Sequence, residues 1–255
     1  MEPREYANLE SIEERHWYYA GKREIVRHWL ARVAPPQQHH TLLDCGAGTG
    51  FFAREMEAQC HILVLDDHEE ALRILHTRFQ PGQILSLAGD RVPLPDGSLD
   101  FVTALDVLEH VPDDAGLIRE FHRLLKPGGV AVITVPAGVA LWSDWDVALH
   151  HHRRYTRSQL RALFPAEAWE VVHANYTNVI VYPAVWCVRK WRGWRRGASG
   201  KLARTEDGIP PRWLNSFLRA LFVGFARSRI PFPFGVSLLL VARRRGLRPL
   251  AESQV

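Results

Sequence analysis

Short apolar runs recur through the first half of the chain, each closed by an acid or a glycine. Leu42-Leu43 precedes Asp44, Ile62-Leu63-Val64-Leu65 precedes Asp66, and Phe101-Val102-Thr103-Ala104-Leu105 precedes Asp106. Val130 to Val135 follows the turn Lys126-Pro127-Gly128-Gly129. Runs this short, bounded by turn residues, predict buried strands rather than helices. Leu87-Ala88-Gly89-Asp90 is predicted as a third strand that ends in an acid, and Pro93 to Asp100 as a turn-rich connector. Helical stretches are predicted between the runs, over Phe51–Gln59 and over a segment ending near Leu125. Alternation of strand and helix predicts an α/β fold with a doubly wound, mostly parallel sheet.

The second half reads differently. Thr156 is a predicted N-cap for a helix over Arg157–Leu163. Thr177 to Trp194 is apolar, interrupted at Pro183, and then basic. Arg212–Arg227 places Trp213, Phe217, Leu218, Leu221, Phe222 and Phe225 at helical offsets, which makes one broad apolar face. Val236 to Ala242 is a predicted final strand. The expected organisation is a helical N-terminal cap over 1–40, a core over 41–176, a basic and aromatic helical insertion over 177–234, and a last strand and tail over 235–255, within one structural domain.

The densest chemistry lies at Asp44-Cys45-Gly46-Ala47-Gly48-Thr49-Gly50. Glycines at alternate positions allow a sharp turn and let a ligand lie on bare backbone. A dinucleotide loop has a third glycine or alanine in G-x-G-x-x-G, and Phe51 stands at that position here. Asp44 would repel a pyrophosphate at the helix N-terminus, so the loop suits a ligand bearing cationic or hydroxyl groups. Asp66, at the tip of the second apolar run, is placed to accept ribose hydroxyls. Taken singly, Asp44 could cap a helix, and Asp66 or Asp90 could occupy a solvated turn.

With these residues in place, the chain resembles the class I S-adenosylmethionine-dependent methyltransferases over Leu42 to Pro136. The resemblance implies a seven-stranded Rossmann-like sheet and S-adenosyl-L-methionine as cofactor. It implies that Asp44, Gly46 and Gly48 surround the methionine part and that Asp66, with Asp67 beside it, holds the ribose. Asp90 and Arg91 would lie at the adenine, and Leu105 and Asp106 near the sulfonium. The implied reaction moves a methyl group to oxygen or nitrogen of a small-molecule, glycan or lipid-linked acceptor.

Composition narrows the surroundings. Cys45, Cys60 and Cys187 form neither a metal spacing nor a disulfide framework, which suits a reducing cytoplasm. The polar N-terminal residues do not read as a signal peptide, and no run approaches the ~20 apolar residues needed to span a bilayer. Residues 1–140 hold 13 Lys and Arg against 21 Asp and Glu, a balance of −8; residues 141–255 hold 19 against 7, a balance of +12. Seven of the nine tryptophans lie at or beyond Trp142. For 177–234 a structural helix pair, a substrate lid and a peripheral contact with the inner membrane face all remain open. A nucleic-acid surface is disfavoured, because no binding motif accompanies the basic run.

Substrate chemistry is expected just after the fifth strand, since ligands lie at the carboxyl ends of parallel strands. The stretch holds Asp146, His150-His151-His152 and Arg153-Arg154-Tyr155-Thr156. Together with His16-Trp17-Tyr18-Tyr19, Arg23 and Pro233-Phe234-Gly235-Val236-Ser237, it resembles a subgroup of bacterial methyltransferases. His151 is the candidate general base, oriented by Asp146, with Tyr155 beside it and Arg154 binding substrate or closing a salt bridge. A purely structural corner is the alternative. No metal is expected, because adjacent histidines point in different directions. Two rival functions stand: a nicotinamide-dependent oxidoreductase, opposed by Phe51 and Asp44, and a cofactor-binding or membrane-adaptor protein without turnover.

Overall fold

The computed structural model describes residues 3–87, 91–195 and 208–246. Seven strands form one sheet: β1 (Thr41–Cys45), β2 (His61–Leu65), β3 (Ile84–Leu85), β4 (Leu99–Leu105), β5 (Leu125–Pro136), β6 (Trp169–Thr177) and β7 (Ser237–Arg244). Their spatial order is β3-β2-β1-β4-β5-β7-β6. The first five pair in parallel, and β7 runs antiparallel between β5 and β6. The sheet is therefore doubly wound and mostly parallel, as expected.

Strand residues alternate between two cores because successive side chains leave opposite faces. Leu42, Ile62, Phe101 and Val132 join the core covered by α2 (Trp17–Val33), α3 (Phe51–Met56) and α9 (Arg212–Arg227). Leu43, Leu63, Val102 and Ile133 join the opposite core with α5 (Asp114–Leu124) and α7 (Arg157–Ala162). Both faces are covered, so the parallel strands are continuous apolar runs rather than alternating ones.

Several boundaries moved. β3 is a two-residue edge strand, upstream of the tetrapeptide expected to form it; of that tetrapeptide only Leu87 lies among the described residues, and Asp90 lies outside them. β5 begins at Leu125, five residues early, because Leu125 pairs with Leu99 before a register shift leads to Val130 opposite Phe101. Gly128 takes φ +84° in that bulge. Pro183 does not interrupt a helix. It falls in the first turn of α8 (Tyr182–Arg195), where its missing N–H costs nothing.

Helices α8 and α9 lie between β6 and β7, the insertion expected before the last strand. Only the C-terminal half of the α9 apolar face is buried, through Phe222, Val223 and Ala226 against α2. Trp29 on α2 is 1% exposed, donates from Nε1 to Ala226 O (3.1 Å) and stacks on His173 of β6 (centroids 3.9 Å apart). One side chain thus ties two helices to the sheet. Trp29→Ala should cost about 3–5 kcal/mol. At roughly 2–4 °C per kcal/mol, the thermal midpoint should fall by about 6–20 °C in calorimetry.

Candidate active site

The loops that follow β1, β2, β4 and β5 converge at one end of the sheet, where the winding reverses between β1 and β4. After β1 the chain turns through Gly46, Gly48 and Gly50 at φ +68°, +56° and +77°. Side chains are excluded at two of them by contact as well as by dihedral: a Cβ on Gly46 would sit 2.4 Å from Val107 Cγ2, and one on Gly50 2.6 Å from Phe79. A Cβ on Gly48 would meet nothing within 4 Å, so open space lies over that residue.

Asp66 braces the turn. Its Oδ2 accepts from Gly48 N (2.8 Å) and its Oδ1 from His68 N (3.0 Å). Burial raises its pKa, partly offset by those two amide bonds. Asp67 is exposed beside it. Asp44 is 3% exposed, and its Oδ1 accepts from Thr103 Oγ1 (2.7 Å) on β4. Burial, then the nearby carboxylates of Glu13 and Asp66, push its pKa up to about 7 against the Thr103 bond and the charge of Lys22. No cation pairs with Asp44 among the described residues. Above the loop sits the segment after α1 (Pro3–Ile12), where Glu13 accepts from the Thr49 hydroxyl. Arg91 is exposed and pairs with Asp96 (3.2 Å), away from any buried partner. Leu105 is half-buried at the strand end.

Asp106 takes a left-handed conformation, φ +61°. Its carboxylate is held by Lys22 Nζ (2.8 Å) and Thr134 Oγ1 (2.9 Å). Burial would raise its pKa, but the Lys22 charge and these bonds lower it. Lys22 also lies over the rings of Tyr18 (5.3 Å) and Tyr19 (5.6 Å). A cleft open to solvent runs from Lys22 and Tyr18 past Thr134 to Ser237 and Phe222.

A second cluster is built on Asp146, which is fully buried in α6 (Asp144–Ala148). It accepts from Ser143 N (2.9 Å), Arg154 Nε (2.7 Å) and His151 Nδ1 (2.9 Å), and Arg189 approaches to 3.8 Å. Burial opposes its charge, yet the His151 and Arg154 bonds hold its pKa down at about 2. An ionised carboxylate only accepts, so His151 donates to it from Nδ1; in the neutral ring this tautomer leaves the lone pair on Nε2. The ring of His110 lies edge-on to that of His151, centroids 4.7 Å apart. Burial and the facing His151 bring the His110 pKa down to about 4.

The sequence-read residues therefore fall into two groups. Asp44, Gly46, Gly48, Asp66 and Asp106 come together at the strand ends, and Asp146 and His151 form a dyad facing them. Tyr155 is elsewhere: it is 3% exposed in the core, and its hydroxyl bonds Asp114 Oδ2 (2.8 Å) and Leu108 O (3.2 Å). Arg154, also buried, forms a salt bridge to Asp146 through Nε (2.7 Å) and donates from Nη1 to Ala137 O (3.1 Å). Lys22, Glu13 and Thr103 were missed. Each reaches the site from a distant part of the chain, and only Lys22, one turn from the Trp17-Tyr18-Tyr19 motif, had a local signal.

A doubly wound sheet with acid-tipped strands around a glycine turn defines the class I methyltransferase fold. A family model described as a methyltransferase domain matches residues 16–174, and the chain belongs to that family, whose cofactor is S-adenosylmethionine. An uncharacterized methyltransferase of Mycobacterium bovis is 29% identical over 136 residues, 52% of this chain and 54% of that protein. The chain thus spans about half the length of the curated relatives it matches. Among solved structures, one chain from the complex of the Haloferax volcanii Trm112 methyltransferase activator superposes with TM-score 0.60 at 19% identity, covering 93% of each chain. An S-adenosylmethionine-dependent methyltransferase from Mesorhizobium loti gives TM-score 0.53 at 19% identity, covering 85% of this chain and 96% of that one. At such identities these two establish the fold. The residues present fit the cofactor: Asp44 is a buried carboxylate with no cation of its own, and open space lies over Gly48.

The Asp44 pKa carries a pH signature. The folded state holds a proton on Asp44 that the unfolded state releases near its ordinary value, so stability without ligand should fall as pH rises toward about 7. A cationic ligand prefers the ionised carboxylate. Affinity for S-adenosylmethionine should therefore climb by up to about tenfold per pH unit below the Asp44 pKa of about 7 and level off above it. Titration calorimetry across that range should show the slope in the wild type and its loss in Asp44→Asn.

Proposed function

We propose that this protein transfers the methyl group of S-adenosylmethionine to an oxygen or nitrogen acceptor seated between Asp106 and His151. The observation that carries the reading is the pairing of acid-tipped strands on one side with an oriented imidazole on the other. S-adenosylmethionine supplies an activated methyl on a positively charged sulfur. Asp44, with the backbone of Gly46 and Gly48, is proposed to hold its methionine end, Asp66 its ribose hydroxyls, and Leu105 and Asp106 the region of the sulfur.

Displacement at carbon needs the acceptor in line with the departing sulfur, and alignment can remove about 7–11 kcal/mol of barrier. Rigid walls serve this purpose. Asp106 is fixed by Lys22 and Thr134, and Asp146 by four donors. In the metal-free protein, His151 Nε2 takes the proton of a hydroxyl or amine acceptor, and Asp146 keeps the tautomer that makes this possible. Tyr155 is a positioning residue, because its hydroxyl ties the loop after β4 to α5 while its backbone bonds Pro136 and Gly138.

Asp66→Ala should weaken S-adenosylhomocysteine binding by about 10- to 100-fold in calorimetry, the worth of hydrogen bonds to a charged group. NAD should not bind, which separates this reading from an oxidoreductase. His151→Ala should keep cofactor binding but lower turnover by about 100-fold or more. Turnover is read as transfer of labelled methyl to an extract of small molecules and lipids. Cofactor affinity in the wild type without any methyl acceptor in that extract would favour the non-enzymatic adaptor.

A membrane contact through the helical insertion is proposed for the acceptor's delivery. On α9, Trp213 is 72% and Phe217 56% exposed, and Ile230 after the helix is 66% exposed. Ile180, Trp186 and Phe234 are exposed as well. Aromatic side chains beside a basic sequence suit a headgroup boundary. No helix among the described residues is long and apolar enough to cross a membrane. The part of the Arg189–Arg204 basic run beyond 195 lies outside the described residues. The wild type should co-sediment with vesicles rich in anionic lipid, and a Trp213→Ser, Phe217→Ser variant should stay in the supernatant with its cofactor affinity intact.

A further inference from the structure

Glu109 is the most exposed question in the molecule's chemistry, although its side chain is 0% accessible. Neither carboxyl oxygen has a hydrogen-bond partner. A buried, unpaired carboxyl costs several kcal/mol in either protonation state, since a carboxylic acid also needs an acceptor for its proton. The cations nearby are committed elsewhere. Lys22 pairs with Asp106, and Arg154 with Asp146. Glu109 is held in place by its own backbone, whose carbonyl accepts from His152 N (2.7 Å).

Two imidazoles complete the picture. One donor atom each from Glu109, His110 and His151 lies within 4.8 Å of the other two. The three come from a short turn after β4 (residues 108–110) and from the loop before α7, so they approach from two sides of one point. His151 already donates from Nδ1 to the buried Asp146. That carboxylate–histidine pair is the outer half of the arrangement by which proteins orient a metal-binding imidazole, with Nε2 left to face the ion.

We propose that Glu109, His110 and His151 form a binding site for one divalent transition-metal ion, with Asp146 orienting His151 from behind. One carboxylate and two imidazoles are a donor set for Zn²⁺, Mn²⁺ or Co²⁺ rather than for Mg²⁺ or Ca²⁺, which prefer oxygen. Three protein ligands leave coordination positions open, as in sites where an ion holds a substrate. The proposal deepens the methyl-transfer reading and rests on it for its substrate: the acceptor is an oxygen compound, a hydroxyl beside a second oxygen, gripped at the ion. An ion takes the His151 lone pair, so the acceptor's O–H proton passes to water, its loss eased by the positive charge of the ion. The sequence alone argued against a metal from the three adjacent histidines. The proposed site takes just one of those and draws the other two ligands from Glu109-His110.

The test is metal binding by the full chain after chelator treatment, followed with Co²⁺ by visible absorption and with Zn²⁺ by calorimetry. One equivalent should bind to the wild type with ligand-field bands of a nitrogen- and oxygen-ligated ion. Glu109→Gln and His110→Ala should each weaken binding by more than the ~10- to 100-fold that loss of an orienting partner costs. Asp146→Asn should weaken it less. S-adenosylhomocysteine affinity and the circular-dichroism spectrum are measured on every variant, so a misfolded protein is recognised and replaced by the more conservative His110→Gln. No saturable binding by wild type that still binds S-adenosylhomocysteine overturns the site and leaves the methyltransferase reading standing. Binding undiminished in both Glu109→Gln and His110→Ala places the ion on other histidines and overturns it equally. Loss of S-adenosylhomocysteine affinity in the wild type would instead strike the methyl-transfer reading, and stoichiometric metal binding would survive it.

Discussion

Carboxylates buried at the carboxyl ends of parallel strands are the constraint around which this active site is organised. Removing such a group from water costs several kcal/mol unless a cation or a set of donors replaces the lost solvent. The protein answers the problem internally at two positions. Lys22 and Thr134 neutralise Asp106, and Arg154, His151 and Ser143 surround Asp146. It does not do so at Asp44, whose Oδ1 bonds a hydroxyl, or at Glu109, which has no partner. Asp44, at the end of β1, and Glu109, in the turn after β4, lie at the same carboxyl end of the sheet. Each would be relieved by a positive charge brought from outside, the sulfonium compound at Asp44 and a metal ion at Glu109.

Much of the cofactor side was legible because it is local in sequence. A glycine turn, the acid before it and the acid after the next strand sit within one strand–helix–strand unit, so spacing alone specifies their meeting point. The apolar runs of β1, β2 and β4 were equally plain, since strands covered on both faces have no polar alternation to blur them. The boundaries that moved belong to elements with weak local signals. β3 contributes only Ile84 and Leu85 to an edge, and β5 gains Leu125 through a bulge that the Pro127-Gly128-Gly129 sequence disguises as a turn.

The acceptor side was only half legible, for a physical reason. Asp146 and His151 are five residues apart, and their pairing follows from a short helix and turn. Tyr155 lies four residues further on, where the backbone bridges in parallel to Ala137 and sends the side chain inward to the core. Nothing in the local pattern distinguishes a tyrosine that meets substrate from one that pins a loop. Lys22 and Glu109 illustrate the same difficulty. Their roles depend on contacts across most of the sheet, and burial of a glutamate beside a histidine has no signature in a single sequence.

This division between local and distant construction explains how one fold can serve different acceptors. The glycine turn and the acids of β1 and β2 form one local unit, whereas the surroundings of Asp106 and His151 are assembled from α2, the turn after β4 and the segment after β5. In this protein the segment after β5 supplies an oriented imidazole near the unpaired carboxyl of Glu109, which comes from the turn after β4, and α9 leaves Trp213 and Phe217 uncovered. If the proposed metal site and membrane contact hold, a lipid-linked acceptor with neighbouring oxygens would use both features, whereas a freely soluble amine would use neither the carboxyl of Glu109 nor the aromatic face of α9.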